Sequence, residues 1–130
     1  MIIHVSDIMI KKNTVINAVD SLHKAQSIML KENIDCLPVF ENGQLIGLLT
    51  LNDIICSNPN RIVIDAMRSS FALLAPNTTI VEAVEILENN DAKALLVVDV
   101  NRILGIVTRM LLYIEYSKLL DTLTELYRSQ

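Results

Sequence analysis

The sequence predicts an α+β fold, an α/β-type sandwich made of two copies of one β-α-β-β-α unit. Three observations lead to this class. The chain matches itself at a shift of 58 positions, each half has an amphipathic helical pattern, and each half then has two apolar runs joined by a turn. The matched pairs include Asp7 with Asp65, Met9 with Met67, Ala25 with Ala83, Ile28 with Ile86, Leu37 with Leu95, Val39 with Val97, Gly47 with Gly105 and Thr50 with Thr108.

The two repeats are predicted at 4–56 and 62–114. A chain of 130 residues favours one domain. Because a unit of about 50 residues buries too little surface for a strong core, we expect the repeats to pack on each other as a single module over 1–130.

The first helix of each repeat is predicted from apolar residues at helical spacing behind a capping residue. Ser21 is the expected N-cap in the first repeat, and residues 76–79 start the corresponding helix in the second. The apolar stripes consist of Leu22, Ala25, Ile28 and Met29 in one repeat and of Ile80, Ala83, Val84 and Leu87 in the other.

A hairpin follows the helix in each repeat. The apolar runs 36–40 and 94–98 predict buried strands. The turns at 41–44 and 99–102 lead to second strands over 45–49 and 103–107. A second helix is expected to begin near Thr50 in one repeat and near Thr108 in the other.

The tail is predicted to form a C-terminal helix over 112–128. Its apolar residues recur every three or four positions: Leu112, Tyr116, Leu119, Leu123 and Leu126. Two interpretations stay open. The helix packs on the body of its own chain, or it pairs with its copy in a dimer or with a partner protein.

Composition and charge argue against several classes of protein. The net charge is −4 and no basic tract occurs, so we expect no nucleic-acid partner. No apolar run approaches the roughly 18–20 residues that cross a bilayer, and residues 1–9 show no signal-peptide pattern. We therefore expect a cytoplasmic protein with no membrane partner.

Catalytic and metal sites are not predicted. His4 and His23 lack a second ligand at metal spacing, and Cys36 and Cys56 are expected to be reduced packing thiols. No nucleophile–base pair is recognisable. We expect no enzyme activity, no catalytic residues and no required cofactor.

These residues resemble a known family. The first repeat carries a G-h-h-T-x-x-D signature at Gly47, Thr50 and Asp53, where h is apolar, together with the Asp-x-Met element at 7–9. The second repeats both in part, at 65–67 and 105–108. Over about 110 of the 130 residues, the chain resembles a tandem pair of cystathionine-β-synthase (CBS) domains, also called a Bateman module.

The resemblance implies a fold and a function. The two repeats would be related by a pseudo-two-fold axis, and the protein would form a homodimer. Such modules bind AMP, ADP, ATP or S-adenosylmethionine and regulate an effector protein, here unidentified. Since only a short tail follows the repeats, we expect a stand-alone CBS-domain protein whose output passes through another chain. The alternative is a structural or dimerisation module with vestigial clefts.

Thr50 and Asp53 are the central candidate residues. With the resemblance, the T-x-x-D spacing indicates that Thr50 caps a helix whose free N–H groups favour a phosphate and that Asp53 accepts the two hydroxyls of a ribose. The alternative is helix capping alone. The resemblance adds further ligand contacts, with Lys93 as a phosphate contact: Leu48, Phe71, Ala72, Ala92 and Lys93.

The second cleft is predicted to be degenerate. The position that matches Asp53 is Leu111, which cannot accept ribose hydroxyls, and Asp35 stands where the first cleft has Lys93. The resemblance builds this cleft from Thr14, Ile34, Asp35, Thr108 and Leu111. We therefore expect one competent site per chain.

Several alternatives stay open for single residues. Phe71 is either a ligand contact or a core residue, and Lys93 is either a phosphate contact or an ordinary solvated lysine. Four basic residues in linker-like stretches either form a solvated face or add positive charge near a cleft: Lys11, Lys12, Arg61 and Arg68.

Overall fold

The computed structural model describes residues 2–90, 92, 94–100 and 102–129. The α+β class and the two β-α-β-β-α repeats are confirmed, with one short extra helix before the first strand of each repeat. The elements are α1 (Val5–Ile8), β1 (Ile16–Asn17), α2 (Leu22–Glu32), β2 (Cys36–Glu41), β3 (Gln44–Thr50), α3 (Leu51–Ile55), α4 (Val63–Ala66), β4 (Ala72–Leu74), α5 (Ile80–Asn90), β5 (Ala94–Asp99), β6 (Arg102–Thr108) and α6 (Arg109–Arg128).

The chain divides into two compact units that differ from the sequence repeats. One unit is Thr14–Phe71, and the other combines Met1–Asn13 with Ala72–Gln130. Each unit contains one three-stranded sheet, with strand order β1-β2-β3 in the first and β4-β5-β6 in the second. The short segment before the first strand of each repeat, which contains α1 or α4, therefore belongs to the unit formed by the rest of the other repeat.

The sheet of the Thr14–Phe71 unit has a buried central strand. β1 pairs parallel with β2, and β2 pairs antiparallel with β3. The predicted hairpin turn is present, and Asn42 and Gly43 both have positive φ angles, 52° and 77°. This backbone suits a tight hairpin, because its twist matches that of the flanking strands.

Helix α2 begins and ends with the residues that its sequence provides. The Ser21 side chain accepts a hydrogen bond from the Lys24 N–H at 3.0 Å, which confirms the predicted N-cap. The helix ends at Asn33 in the left-handed conformation, with φ 55° and ψ 48°. Asparagine tolerates this conformation better than most residues with a side chain.

The second unit repeats this architecture around its own core. β4 pairs parallel with β5, and β5 pairs antiparallel with β6. Helices α5 and α6 cover the sheet, and α6 includes the predicted 112–128 helix. The fully buried core side chains come from most elements of the unit: Val5, Ala83, Leu87, Leu95, Val97, Val107 and Leu112.

Equivalent backbone hydrogen bonds hold the leading segment in each unit. In one unit, the Val5 N–H donates to Thr78 O at 2.8 Å; in the other, the Val63 N–H donates to Asp20 O at 2.9 Å. Residues 10 and 106 also form an isolated antiparallel bridge, and residues 48 and 68 form the matching one. The leading segments therefore extend the hairpins at β6 and β3.

Two glycines make this close approach possible. A Cβ atom built on Gly47 would lie 2.7 Å from the backbone oxygen of Arg68. A Cβ atom on Gly105 would lie 2.6 Å from the backbone oxygen of Ile10. Because these obstacles are backbone atoms, a side chain at either position would force the leading segment away from the strand.

We expect Gly47→Ala to destabilise the protein by about 1–3 kcal/mol, the usual range for overpacking a well-packed site. Urea unfolding followed by circular dichroism would measure this as a lower midpoint. Gly43→Asn is the matched control, since nothing lies within 4 Å of a Cβ built there and asparagine tolerates positive φ. Equal losses in both variants would contradict the steric explanation.

Candidate functional site

Thr50 and Asp53 form a reciprocal cap at the start of α3. Thr50 is buried, and its hydroxyl accepts a hydrogen bond from the Asp53 N–H at 3.1 Å. The Thr50 N–H in turn donates to Asp53 Oδ2 at 3.0 Å. The capping interaction considered from the sequence is therefore present, and it holds the Asp53 carboxylate in a fixed position.

Arg68 is a second partner of Asp53, and the sequence indicated it only as one of four basic residues that could add positive charge near a cleft. Its Nε lies 3.1 Å from Asp53 Oδ1 and 3.3 Å from Oδ2. The Asp53 side chain is 10% exposed and that of Arg68 is 38% exposed. The structure thus makes Arg68 part of the candidate site, where it neutralises the carboxylate.

A signal for Arg68 was present in the repeat. At the shift of 58 positions, Asp53 falls on Leu111 and Arg68 falls on Ile10. The acid and the base are thus both replaced by apolar residues in the other repeat. Sequence reasoning compared the acid with its counterpart but did not compare the base.

At the end of β6, Thr108 caps helix α6 as Thr50 caps α3, but the charged pair is absent there. The Thr108 hydroxyl accepts a hydrogen bond from the Leu111 N–H at 3.2 Å. The Leu111 side chain is half-buried and packs against the core of its unit. No carboxylate replaces that of Asp53 at this position.

Both backbone groups of Ala92, a predicted base contact, already have partners. Its N–H donates to Leu87 O at 3.2 Å, and its carbonyl accepts from Arg109 Nη2 at 2.8 Å. The Arg109 guanidinium also donates to Tyr113 and Glu88. A ligand would have to use the second lone pair of the Ala92 carbonyl.

The remaining predicted residues are distributed over both units. Leu48, Thr50, Asp53 and Phe71 lie in Thr14–Phe71, together with Thr14, Ile34 and Asp35. Ala72, Ala92, Thr108 and Leu111 lie in the other unit. Lys93 is outside the described residues. Leu48, Ile34, Ala72 and Ala92 are buried, Phe71 is half-buried and Asp35 is exposed.

Local hydrogen bonds already use two groups of the second predicted cleft. The Thr14 hydroxyl donates to Glu32 Oε1 at 2.6 Å. The Asp35 carbonyl accepts from the Leu51 N–H at 2.8 Å. These bonds tie both residues to their own unit and leave the Asp35 carboxylate toward solvent.

The CBS-domain family model matches residues 5–57 and 63–112. This chain belongs to the CBS-domain family. The predicted tandem pair of CBS domains is therefore confirmed, and the T-x-x-D segment lies in the first of the two matched ranges.

One curated relative is protein MJ1232 of Methanocaldococcus jannaschii. It is 31% identical over 110 residues, which span 82% of this chain and 37% of that protein. The CBS pair described here therefore corresponds to well under half of that relative.

Solved structures share the fold. The CBS domain pair of protein MJ0100, in complex with 5′-methylthioadenosine and S-adenosyl-L-methionine, superposes with a TM-score of 0.79 at 23% identity, over 91% of this chain and 98% of that chain. CBSX2 in complex with AMP superposes with a TM-score of 0.71 at 21% identity, over 89% and 97%. At these identities the likeness shows the fold alone.

Neither a metal-binding cluster nor a membrane-spanning helix occurs among the described residues of this CBS pair. Within that part of the chain, no three His, Cys, Asp or Glu side chains come together in a way that could hold a metal ion. No described helix is both long enough and apolar enough to cross a bilayer.

The two thiols have different environments. Cys36 is buried in β2, directly opposite Thr50 in the strand pairing, and Cys56 is exposed at the end of α3. Burial, followed by the negative charges of Asp35 and Asp53, raises the pKa of the Cys36 thiol far above its ordinary value. A thiol in that state is unreactive, because the thiolate is the nucleophile.

We expect one thiol of the native protein, that of Cys56, to react with Ellman's reagent, and two to react after unfolding in guanidinium chloride. Absorbance at saturating reagent measures both numbers. Cys56→Ser should leave no reactive thiol in the native state and one in the unfolded state. Rapid reaction of native Cys56→Ser would contradict the buried placement of Cys36.

Proposed function

We propose that this CBS pair is a regulatory, energy-sensing module that binds one adenosine nucleotide per chain at Asp53 and acts on a partner protein, without catalysis of its own. Binding would shift the population of conformations that the partner recognises. A cytoplasmic location stays a prediction of the sequence.

The observation that carries the proposal is the fixed, nearly buried carboxylate of Asp53 next to Thr50. A carboxylate with two oxygens in a fixed orientation is suited to accept both hydroxyls of a ribose. Leu111 at the equivalent position offers no acceptor and packs into the core. This difference supports one competent site rather than two.

The family supports the class of ligand. MJ0100 is described with 5′-methylthioadenosine and S-adenosyl-L-methionine, and CBSX2 with AMP. All three ligands contain adenosine, so we extend this class, including ADP and ATP, to the present chain.

The other ligand contacts remain predictions. In the proposal, apolar side chains around Phe71 and Leu48 contact the adenine ring, and backbone groups near Ala72 and Ala92 read its edge. Lys93 contacts a phosphate. The Ala92 carbonyl remains able to accept a second hydrogen bond, as a carbonyl has two lone pairs.

Assembly is the second candidate function, and helix α6 supports it. Leu112 is fully buried and Tyr116 packs against the core, but the later apolar residues are exposed. We call Leu119, Leu123 and Leu126 the C-terminal seam; their exposed fractions are 36%, 44% and 57%. An exposed seam at heptad-like spacing favours pairing with a second copy or with the effector protein.

We expect AMP, ADP, ATP or S-adenosylmethionine to raise the unfolding free energy by about 2.7 kcal/mol at a hundredfold excess over Kd. Asp53→Asn should lose most of this gain, because the amide supplies only one acceptor oxygen. Thermal unfolding of each protein with and without ligand measures this gain. Because each variant without ligand is its own reference, a loss of intrinsic stability does not affect the comparison.

Asp7→Asn is the matched control for this experiment. Asp7 Oδ2 accepts the His4 N–H at 2.8 Å, so this residue caps a short helix in the same way as Asp53. It should keep the full ligand response. A wild-type chain that responds to none of these compounds at millimolar concentration would contradict the proposed function.

If the C-terminal seam mediates homodimerisation, replacing all three of its leucines with glutamine should convert the dimer to a monomer. Sedimentation velocity at several concentrations measures this. The control replaces exposed apolar residues elsewhere, Val19, Leu30 and Ile55, with glutamine. An unchanged dimer in the seam variant would exclude the seam as its interface.

A further inference from the structure

The Arg68 guanidinium occupies the edge of Asp53 that a ribose would need. Its Nε is shared between the two carboxylate oxygens, at 3.1 and 3.3 Å. The Thr50 N–H already donates a hydrogen bond to Oδ2 and so uses one of its lone pairs. A vicinal diol donates to both oxygens across that same edge, so the diol and the guanidinium compete for it.

Only the side chain of Arg68 is free to move aside. Its backbone N–H donates to Leu48 O at 2.8 Å, and its carbonyl accepts from the Leu48 N–H at 2.9 Å. These two bonds hold the backbone of Arg68 against β3 next to Gly47. A displaced guanidinium therefore remains close to the ligand that displaced it.

The displaced guanidinium would need a new anion. It is 38% exposed, so water only partly solvates it. Its Nε donates to the Asp53 carboxylate, whereas its Nη1 and Nη2 groups donate to no residue in the described part of the chain. A phosphate oxygen pair matches the fork geometry of an arginine and restores the lost charge pairing.

One scaffold carries both members of this charge pair, and the other carries neither. The backbone bridge of Leu48 with Arg68 has its counterpart in Ile10 with Ile106, at 2.8 and 3.0 Å. The scaffold is therefore the same in both units, although Ile10 replaces the base and Leu111 replaces the acid. Since the scaffold forms without the charges in the other unit, the charge pair is not required to build it.

We propose that Arg68 is a specificity-determining residue of the Asp53 site, which exchanges the carboxylate for a ligand phosphate and so selects phosphorylated adenosine nucleotides over adenosine and S-adenosylmethionine. The inference rests on the proposed function and narrows its ligand class. Neutral adenosine leaves the displaced guanidinium without an anion, and S-adenosylmethionine has a sulfonium, a like charge, at the 5′ position where AMP has its phosphate.

Isothermal titration calorimetry with AMP, adenosine and S-adenosylmethionine tests this assignment. Wild-type protein should bind AMP at least about tenfold more tightly than the other two. Arg68→Gln should weaken AMP binding by about ten- to a hundredfold, the effect of losing hydrogen bonds to a charged group. Its adenosine binding should stay equal or become tighter, because no guanidinium has to be displaced.

Two further variants make the result specific. Arg68→Lys keeps the charge without the fork and should retain part of the preference for AMP; it also decides the question if Arg68→Gln does not fold. Lys24→Gln removes an equal charge from an exposed position of α2, where the ammonium pairs with Asp20 at 3.3 Å, and should change neither affinity.

The outcomes separate the two proposals. If Asp53→Asn abolishes binding but neither Arg68 variant changes the ratio of AMP affinity to adenosine affinity, the role of Arg68 is overturned. The proposed function then remains intact. Equal weakening of AMP and adenosine likewise overturns it, since Arg68 then only supports the structure. Wild-type protein that binds none of the three compounds overturns both proposals.

Discussion

The close contact of residues 67–68 with Gly47 in β3 is the constraint on which the candidate site depends. Since Gly47 has no side chain, the backbone of Arg68 can form two hydrogen bonds with Leu48, and the arginine side chain then lies beside Asp53. The same glycine contact at Gly105 builds an equivalent scaffold in the other unit. The signature glycine of the CBS repeat thus has a steric function in both units.

Charge distinguishes two otherwise equivalent scaffolds. In the pair of Asp53 and Arg68, the carboxylate is 10% exposed and the arginine side chain 38% exposed, so water screens this interaction less than that of a fully exposed ion pair. The matching positions, Leu111 and Ile10, carry no charge. One backbone framework therefore supports a charged candidate site in one unit and an apolar contact region in the other.

Helix α6 belongs to the fold at one end and extends beyond the core at the other. Its first turns bury Leu112 and bring Tyr116 onto the core, while the residues after 116 are exposed. The interpretation that the helix packs on its own chain thus holds for its first turns, and pairing with a copy or a partner stays a prediction for the rest. The buried turns stabilise the unit, and the C-terminal seam offers apolar surface that an isolated chain leaves in water.

The sequence by itself determined the fold class, the repeat, the order of elements and caps such as Ser21, because helical and strand periodicities and capping residues are local properties of the chain. It also indicated Asp53 through the T-x-x-D signature, and comparison of the repeats showed Leu111 at the matching position. Only the tertiary structure decided that each leading segment joins the other repeat's unit, and that Arg68 neutralises Asp53. Both depend on contacts between residues distant in the chain, such as Leu48 with Arg68, which no local periodicity encodes.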